Sequence, residues 1–351
     1  MISVLTKRKP DTAEPTTAST GLWQLAMRRL KRDRIAMFSL LIVLFYLVLL
    51  ILSSTGLIAK DWNKEVAVSY APPTFIGAAA IPATQSETQK VEAAVPENPV
   101  DPLAEDMKAI DQALDGHLLD QQAELKQSLI LGADKWGQSV LLKTIKGAET
   151  SIIVGLVAAF LAVVIGTVLG AISGYFGGWV DDVLNWFYNI FTSIPYLLLV
   201  LAIAAVLQQK GVLSIVLILG LTGWTGVYRL IRAEYMKHTS REYVLAAKAI
   251  GVSHSRRIFV HIFPNVSHIA LVQMSILVVA FIKSEVILSF LGFGVPVGVV
   301  SWGSMLNEAQ SELILGKWWQ LAAASVAMAV LVTAFSMFTD ALRDALDPKL
   351  K

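Results

Sequence analysis

The feature that most constrains this chain is a set of six long stretches with almost no charged side chains. A helix needs about 20 consecutive, mostly apolar residues to cross the hydrocarbon core of a bilayer. Five of the stretches lack Asp, Glu, Lys and Arg, and the fifth in order is interrupted only by Lys283 and Glu285. They cover residues 35–59, 150–180, 183–209, 211–228, 262–291 and 318–339. We therefore predict an all-α, polytopic membrane protein with six transmembrane helices.

Composition excludes several classes of soluble protein. Hydrophobic residues make up 55% of the 351 residues and charged residues only 16%, whereas soluble domains carry about 25% charged residues. The net charge of +2 is too small to indicate a polyanion, so we expect no nucleic-acid partner. The absence of cysteine excludes disulfides, a thiolate nucleophile and cysteine-ligated metals.

Basic residues predict the orientation, because cytoplasmic segments are enriched in Lys and Arg. Residues 1–34 contain eight basic against three acidic residues, which places the N-terminus inside. The stretch at 35–58 is too long for a signal peptide and is predicted to be the first spanning helix. With six crossings, the tail 341–351 also lies inside, as does the loop 229–264 (the basic loop). That loop has seven basic and two acidic residues, which supports the same orientation independently.

Residues 59–130 are predicted to form an extracytoplasmic insert after the first helix. Residues 60–100 are rich in Ala, Pro, Thr, Gln and Glu, as in extended or poorly ordered linkers. From residue 101, apolar side chains recur at helical spacing and predict a helix, or a helix pair broken near Gly116. These side chains are Leu103, Met107, Ile110, Leu114, Leu118, Leu125 and Leu129. A structural spacer and a docking surface for an outside partner both fit this insert.

The basic loop contains a helix–glycine–helix pattern. Thr239 and Glu242 match the T-x-x-E capping box that begins many helices. We predict a helix over 241–250 that ends at Gly251, and a second short helix over 253–264.

Small and basic side chains on this loop suggest a contact surface. Ala246 and Ala247 leave room for close approach, and Arg256 and Arg257 are available to a partner or to lipid headgroups. Pro264 marks the entry to the fifth spanning helix. The alternative is a basic juxtamembrane loop that rests on anionic lipid.

Motifs for enzyme chemistry are weak. Residues 132–139 approach the G-x-x-x-x-G-K-[ST] phosphate-binding loop, but Gln138 replaces its lysine, and the predicted topology places the loop outside. We found no other Walker-type loop, no H-E-x-x-H pattern and no G-x-S-x-G elbow in the sequence. We therefore expect no catalytic residues, cofactor or metal site, and no ATPase site in this chain.

The basic loop resembles the E-A-A-x-x-x-G…P motif of ABC importer permeases, in which a coupling helix sits in a groove of the ATPase subunit. Leu245 occupies the position of the motif's Glu, so any contact specific to that Glu is absent here. The resemblance implies an ATPase-coupling role for Glu242, Leu245, Ala246, Ala247, Gly251, Arg256 and Pro264.

Further segments are similar to the dipeptide/oligopeptide (nickel) branch of that family. They are residues 131–141, 174–181, 285–306 and 342–348. The resemblance covers residues 28–58 and 131–351 and fits the C-type subunit. It implies a type I importer permease fold, with a permease core at 131–340.

The family also implies partners: a second, B-type permease, two cytoplasmic ATP-binding subunits, an extracytoplasmic solute-binding protein, and the lipid of a bacterial inner membrane. A peptide is the favoured substrate, with nickel or another small solute as the alternative. A secondary transporter, a membrane scaffold that does not transport and an exporter half remain as alternative functions.

Three residues within the spans are candidates for the pathway or for a subunit contact. Intramembrane charges are costly and often functional, which draws attention to Lys283 and Glu285. The alternative is that both lie near the outer interface, where a lysine can reach water. Pro195 predicts a kink in the third span.

Overall fold

The computed structural model describes residues 22–77 and 125–346. Predictions for residues 1–21, 78–124 and 347–351 lie outside the described residues. Within the described ranges the helices are α1 (Leu22–Arg32), α2 (Arg34–Ser54), α3 (Val140–Phe176), α4 (Gly178–Thr192), α5 (Tyr196–Leu207), α6 (Val212–Thr222), α7 (Thr225–Thr239), α8 (Glu242–Ala249), α9 (Phe263–Phe290), α10 (Trp302–Ile314) and α11 (Trp319–Leu346). A helical turn (His254–Arg256) and a π-helix (Arg257–Ile262) lead directly into α9.

The all-α, polytopic fold class is confirmed. Five helical segments are long and apolar enough to cross a membrane, and α4 with α5 forms a sixth if this bent pair counts as one span. The five segments are Arg34–Ser54, Val140–Phe176, Val212–Thr239, His254–Phe290 and Trp319–Leu346. Across the described ranges, β-pairing is limited to isolated bridges.

The second, fourth and sixth predicted spans are shorter than the observed helical segments. The second begins at Val140 rather than near residue 150, the fourth continues beyond residue 228 to Thr239, and the sixth continues beyond residue 339 to Leu346. All three extensions carry charged residues, which a search for uncharged runs cannot include. In the first extension, Lys143 forms buried ion pairs and can therefore lie on a packed helix.

The third span is broken rather than merely kinked. α4 ends at Thr192, α5 begins at Tyr196, and their axes differ by 82°. Pro195 lies immediately before α5, with φ −54° and ψ 128°. A proline has no backbone N–H and restrains the preceding residue to extended conformations, so the helix ends and restarts here.

The described flanks of the predicted insert are packed against each other. The backbone N–H groups of Val68 and Tyr70 donate to the carbonyls of Lys126 and Asp134, at 3.1 and 2.9 Å. Ala67 and Ala71 are fully buried. Residues 60–77 are therefore not loose linker, and the helix predicted to continue through 125–130 is absent, because that segment forms bridges and turns.

A buried charge cluster fixes the segment that precedes α3. The Lys143 Nζ lies 2.7 Å from a carboxylate oxygen of Asp134 and 2.6 Å from one of Glu308 on α10. Asp134 also accepts hydrogen bonds from the backbone N–H groups of Trp136 and Gln138, each at 2.9 Å. The loop that approached a phosphate-binding motif thus folds around its own aspartate.

Small residues let α3 and α7 approach closely. Gly166, Gly170 and Gly174 recur every fourth residue and line one face of α3. A Cβ atom on Gly170 would lie 2.8 Å from the backbone oxygen of Tyr228 on α7. This small-xxx-small stripe is typical of helix contacts in membranes, where close backbone approach replaces the hydrophobic effect as the driving force.

We predict that Gly170→Ala destabilises the protein, because the added methyl must push the α7 backbone away. Overpacking of this kind costs about 1–3 kcal/mol. The matched control is Gly226→Ala on α7, where an added Cβ meets no atom within 4 Å. Thermal unfolding in detergent should show a lower midpoint for Gly170→Ala and an unchanged or higher one for Gly226→Ala. Equal midpoints would contradict this packing.

Glu312 on α10 should make the folding stability of the protein depend on pH. Its side chain is fully buried, and its Oε2 has no hydrogen-bond partner among the described residues. Burial raises the pKa of Glu312 above its ordinary 4.5, and the nearby carboxylates of Asp134 and Glu308 act in the same direction. The folded chain therefore holds this proton more tightly than the unfolded chain, so this residue's contribution to stability falls as pH rises from about 4.5 through the raised pKa.

We expect Glu312→Gln to remove that part of the pH dependence. The unfolding midpoint of the variant, relative to wild type, should increase as pH rises from 4.5 to neutrality. Glu65→Gln, which replaces an exposed carboxylate, serves as the control and should follow the wild-type profile. Parallel profiles for Glu312→Gln and wild type would show that Glu312 is ionised in the folded protein.

Candidate functional site

The basic loop forms a compact helical protrusion at one end of the bundle, here called the basic end. α7 extends to Thr239, and α8 begins at Glu242. The predicted capping box is wrong: the Thr239 hydroxyl donates to the Met236 carbonyl at 2.7 Å, and Arg241 is the N-cap residue without a side-chain cap. The box fails because residue 239 is still the last residue of the preceding helix.

α8 has an inward face and an outward face. Val244 and Ala247, three residues apart, are buried against the bundle. Leu245 is 50% exposed and Ile250 is 81% exposed. Glu242 and Lys248 are exposed too, so the outward face presents apolar side chains with charges beside them.

The predicted coupling residues mostly share that accessible surface. Glu242, Leu245, Ala246, Gly251, Arg256 and Pro264 are exposed. Ala247 is the exception, because its place on the helix turns it toward the bundle, where it is buried beside Val244.

Gly251 ends α8 in a left-handed conformation, with φ +79°. Its N–H donates to the Lys248 carbonyl, and the N–H of Val252 donates to the Ala247 carbonyl, at 3.1 and 3.0 Å. These two bonds are those of a Schellman motif. A Cβ at Gly251 would meet no atom within 4 Å, so the backbone angle alone requires glycine here.

The predicted second helix begins at His254, and it continues as a π-helix without a break into α9. Arg257 is 7% exposed, and its guanidinium lies 5.7 Å from the ring centre of Tyr175 near the end of α3. His254 hydrogen-bonds the same tyrosine and stacks on Phe176. Pro264 lies where the π-helix passes into α9, and it supplies no backbone N–H to that junction.

A charge clamp holds α4 against α7 next to this loop. Arg232 on α7 donates from Nε and from its Nη2 to the two carboxylate oxygens of Asp181, at 2.5 and 2.6 Å. Asp181 also accepts hydrogen bonds from Ser173 and Asn185. This bidentate geometry fixes the angle between the helices as well as their distance.

Glu285 lies apart from the basic loop and is fully buried. Its two carboxylate oxygens accept hydrogen bonds from Ser151 on α3 and Ser289 on α9, at 2.6 and 2.7 Å. The backbone N–H of Trp302, at the start of α10, also points to the Ser151 hydroxyl at 3.4 Å. In this structure Glu285 therefore joins three elements of its own chain and does not border an open surface.

The other two predicted pathway residues occupy different positions. Lys283 is exposed on the face of α9 opposite Glu285. Pro195 lies at the break between α4 and α5. The structure thus gathers the coupling residues at one end and separates the three intramembrane candidates.

Sequence reasoning missed the anchors of the protrusion. Asp181 and Arg232 are 51 positions apart, and Arg257 was seen only as a surface cation. The one available signal was Asp181 itself, a carboxylate in a short polar gap between two apolar runs. Its partner could not be identified without the fold.

Comparison with known families now identifies the chain. A family model described as "Binding-protein-dependent transport system inner membrane component" matches residues 166–351, which include the whole basic loop and α9 to α11. The chain belongs to this family. A second model, described as the N-terminal TM domain of oligopeptide transport permease C, matches residues 21–73 of this permease.

Curated relatives agree with the assignment. The dipeptide transport system permease protein DppC of Bacillus subtilis is 35% identical over 251 residues, covering 70% of this permease and 78% of the relative. The oligopeptide transport system permease protein OppC of Escherichia coli K12 is 35% identical over 235 residues, covering 67% and 77%. A solved structure of the MetNI methionine ABC transporter aligns with a TM-score of 0.41 and 15% identity, covering 54% of this permease and 97% of that chain, which is too remote to add to the assignment.

We predict that Asp181→Asn lowers the stability of the permease by about 2 kcal/mol, because it leaves a partly buried guanidinium without its anion. Lys237→Gln is the control, since its ion pair with Glu234 is more exposed and such pairs contribute under about 1 kcal/mol. Unfolding in detergent should separate the two variants. If both midpoints fell equally, the clamp would have no special role.

Proposed function

We propose that this permease is a subunit of an ATP-driven importer of peptides, and that α8 is the element through which cytoplasmic ATPases act on it. The observation that carries this proposal is the protrusion itself. A helix with an exposed outward face that includes Leu245, closed by Gly251 and rooted in the bundle by Val244 and Ala247, is shaped for a partner's groove. The names of the curated relatives support peptides as the substrate class.

The contacts of the basic loop give α8 a route to the spanning helices. α8 directly follows α7, and the chain then returns through the π-helix into α9. Arg257 and His254 attach the return to the end of α3. A displacement of α8 would therefore reach three packed helices together, which favours rigid-body movement over local bending.

The partners follow from this role. ATP hydrolysis takes place on two separate cytoplasmic subunits, a second, B-type permease completes the pathway, and an extracytoplasmic binding protein delivers the substrate. The basic end then faces the cytoplasm of a bacterial cell, with both termini inside. This orientation rests on the Lys and Arg excess of the N-terminal segment and of the basic loop.

The proposed coupling contact combines apolar and charged side chains. Leu245 stands where the family motif has Glu, and it is half exposed. Glu242 and Lys248, three residues before and after Leu245, are exposed as well, so they are its neighbours on the helix surface. We expect the facing groove on the ATPase to be apolar opposite Leu245 and to pair with these charges.

The intramembrane candidates take separate roles in this proposal. Glu285 holds α9 to α3, so a direct pathway role would require those helices to part. Pro195 makes the break in the third span, which lets α4 and α5 take different directions beside the pathway. Lys283 is accessible to substrate or to the second permease.

We predict that Gly251→Val uncouples the transporter. Valine is strained by about 1–2 kcal/mol or more at φ +79°, which weakens docking about fivefold to thirtyfold if the strain is relieved by unwinding the end of α8. Gly251→Asn is the control, because asparagine tolerates this conformation. Affinity purification with mass spectrometry and ATP-dependent peptide uptake should both be measured on native membranes.

The wild type should co-purify a second permease and two ATPases. The Gly251→Val variant should keep the second permease but lose the ATPases and uptake, whereas Gly251→Asn should retain both. Wild-type uptake by Gly251→Val would overturn the coupling role of α8. A wild-type chain that purifies without any ATPase would overturn the importer proposal.

A further inference from the structure

A polar groove runs between α9 and α11 on the accessible surface of the bundle. It encloses about 260 Å³. Apolar residues of α9 form one side, and Lys283, Ser336, Thr339 and Asp340 bring polar groups to it. Of these four residues, only Lys283 was among the candidates described above.

The groove lies at membrane depth. Ser336 is 17 residues beyond Trp319 and 10 residues before Leu346, which places it about 25 Å and about 15 Å from the ends of α11. Both α9 and α11 belong to segments long and apolar enough to span a bilayer. The groove therefore cannot be an ordinary solvated loop region.

Two opposite charges face this groove without a partner in the described part of the chain. Lys283 and Asp340 are both exposed, and neither forms an ion pair or hydrogen bond with another described residue. Asp340 lies six residues, about 9 Å, from the end of α11, whereas Lys283 lines the groove beside Ser336, further inside the span. A charge at the depth of Lys283 is rare on a lipid-facing surface, because its desolvation is costly, and it marks a water-filled path or a subunit contact. The groove is therefore not a lipid-facing surface.

The helix directions show where the two charges lie along the groove. Val272 of α9 clusters with Leu346, whereas Lys283 shares the groove with Ser336, so α9 and α11 run antiparallel. Lys283 and Asp340 therefore line one groove from two antiparallel helices, with Asp340 nearer the basic end.

We propose that this groove is a strip of the translocation pathway in which Lys283 and Asp340 supply opposite counter-charges to a zwitterionic peptide. The ammonium group would receive the peptide carboxylate, and the carboxylate group would receive the peptide ammonium. This inference rests on the proposed import of peptides and specifies how the pathway handles their terminal charges. A metal cation fits less well, because the groove offers one carboxylate beside a lysine rather than several oxygen ligands.

Cysteine labelling tests the water-filled groove cleanly, because the chain contains no native cysteine. In the whole transporter, reconstituted into liposomes, Ser336→Cys places a thiol in the groove. Val48→Cys on α2, at a site 51% exposed on an apolar face, is the matched control. A charged, water-soluble methanethiosulfonate should modify Ser336→Cys at least tenfold faster than Val48→Cys, and a transported dipeptide should slow that reaction.

Charge removal tests the counter-charge role. Lys283→Met and Asp340→Asn should each lower uptake of an unmodified dipeptide about tenfold, with the second permease and the ATPases still bound. A C-amidated dipeptide lacks the carboxylate, so Lys283→Met should take it up as fast as the wild type does. An N-acetylated dipeptide lacks the ammonium group, so Asp340→Asn should take it up as fast as the wild type does. Each blocked peptide must first show measurable wild-type uptake.

The outcomes are distinct from those of the proposed function. Wild-type transporter without ATP-driven peptide uptake overturns that function itself. Uptake with equally slow labelling of the two cysteines overturns only the water-filled groove. Loss of the second permease from Lys283→Met or Asp340→Asn would show that these charges pair across a subunit interface, which also overturns the proposal.

Discussion

The close approach of α3 and α7 is the constraint on which the rest of the bundle depends. Gly166, Gly170 and Gly174 let the backbones meet, so that carbonyl groups of α7 occupy the space that side chains on α3 would fill. α7 carries Arg232 of the clamp and continues into α8, while α3 carries Tyr175 at one end and Ser151 further along. Both the basic loop and the Glu285 contact are thus positioned by one helix pair.

The sequence predicts this fold well wherever burial in lipid is the dominant force. The apolar runs coincide with the five segments that are long enough to span a membrane and with the bent pair of α4 and α5, because crossing lipid requires uninterrupted hydrophobicity irrespective of tertiary contacts. The start of α3 was missed because Lys143 lies before the second apolar run. The end of α11 was missed because Asp340 follows the sixth run. A kink was predicted at Pro195, and the structure has a break of 82° there, an angle that the proline alone does not specify.

Prediction of the candidate site succeeded for local features and failed for distant ones. Gly251 was identified because a left-handed helix end is a property of a few adjacent residues. The capping box failed because Thr239 can serve either as the end of one helix or as the start of the next, and packing of α7 decides between them. The inward turn of Ala247, the Arg257 anchor and the placement of Asp340 in the same groove as Lys283 all depend on which helices pack side by side.

Two neighbouring charged residues on α9 differ in exposure, one being buried and the other accessible, and this difference follows from helical geometry. Glu285 and Lys283 are two residues apart and therefore lie on nearly opposite faces. One face packs on α3, where serine hydroxyls satisfy a buried carboxylate, and the other opens on the α11 groove. Since the π-helix joins α9 to the basic loop, one helix connects the surface proposed for ATPase docking to the groove proposed for the substrate. A movement that begins at α8 can therefore change access to Lys283 only by carrying α9 as a unit, or by separating Glu285 from Ser151.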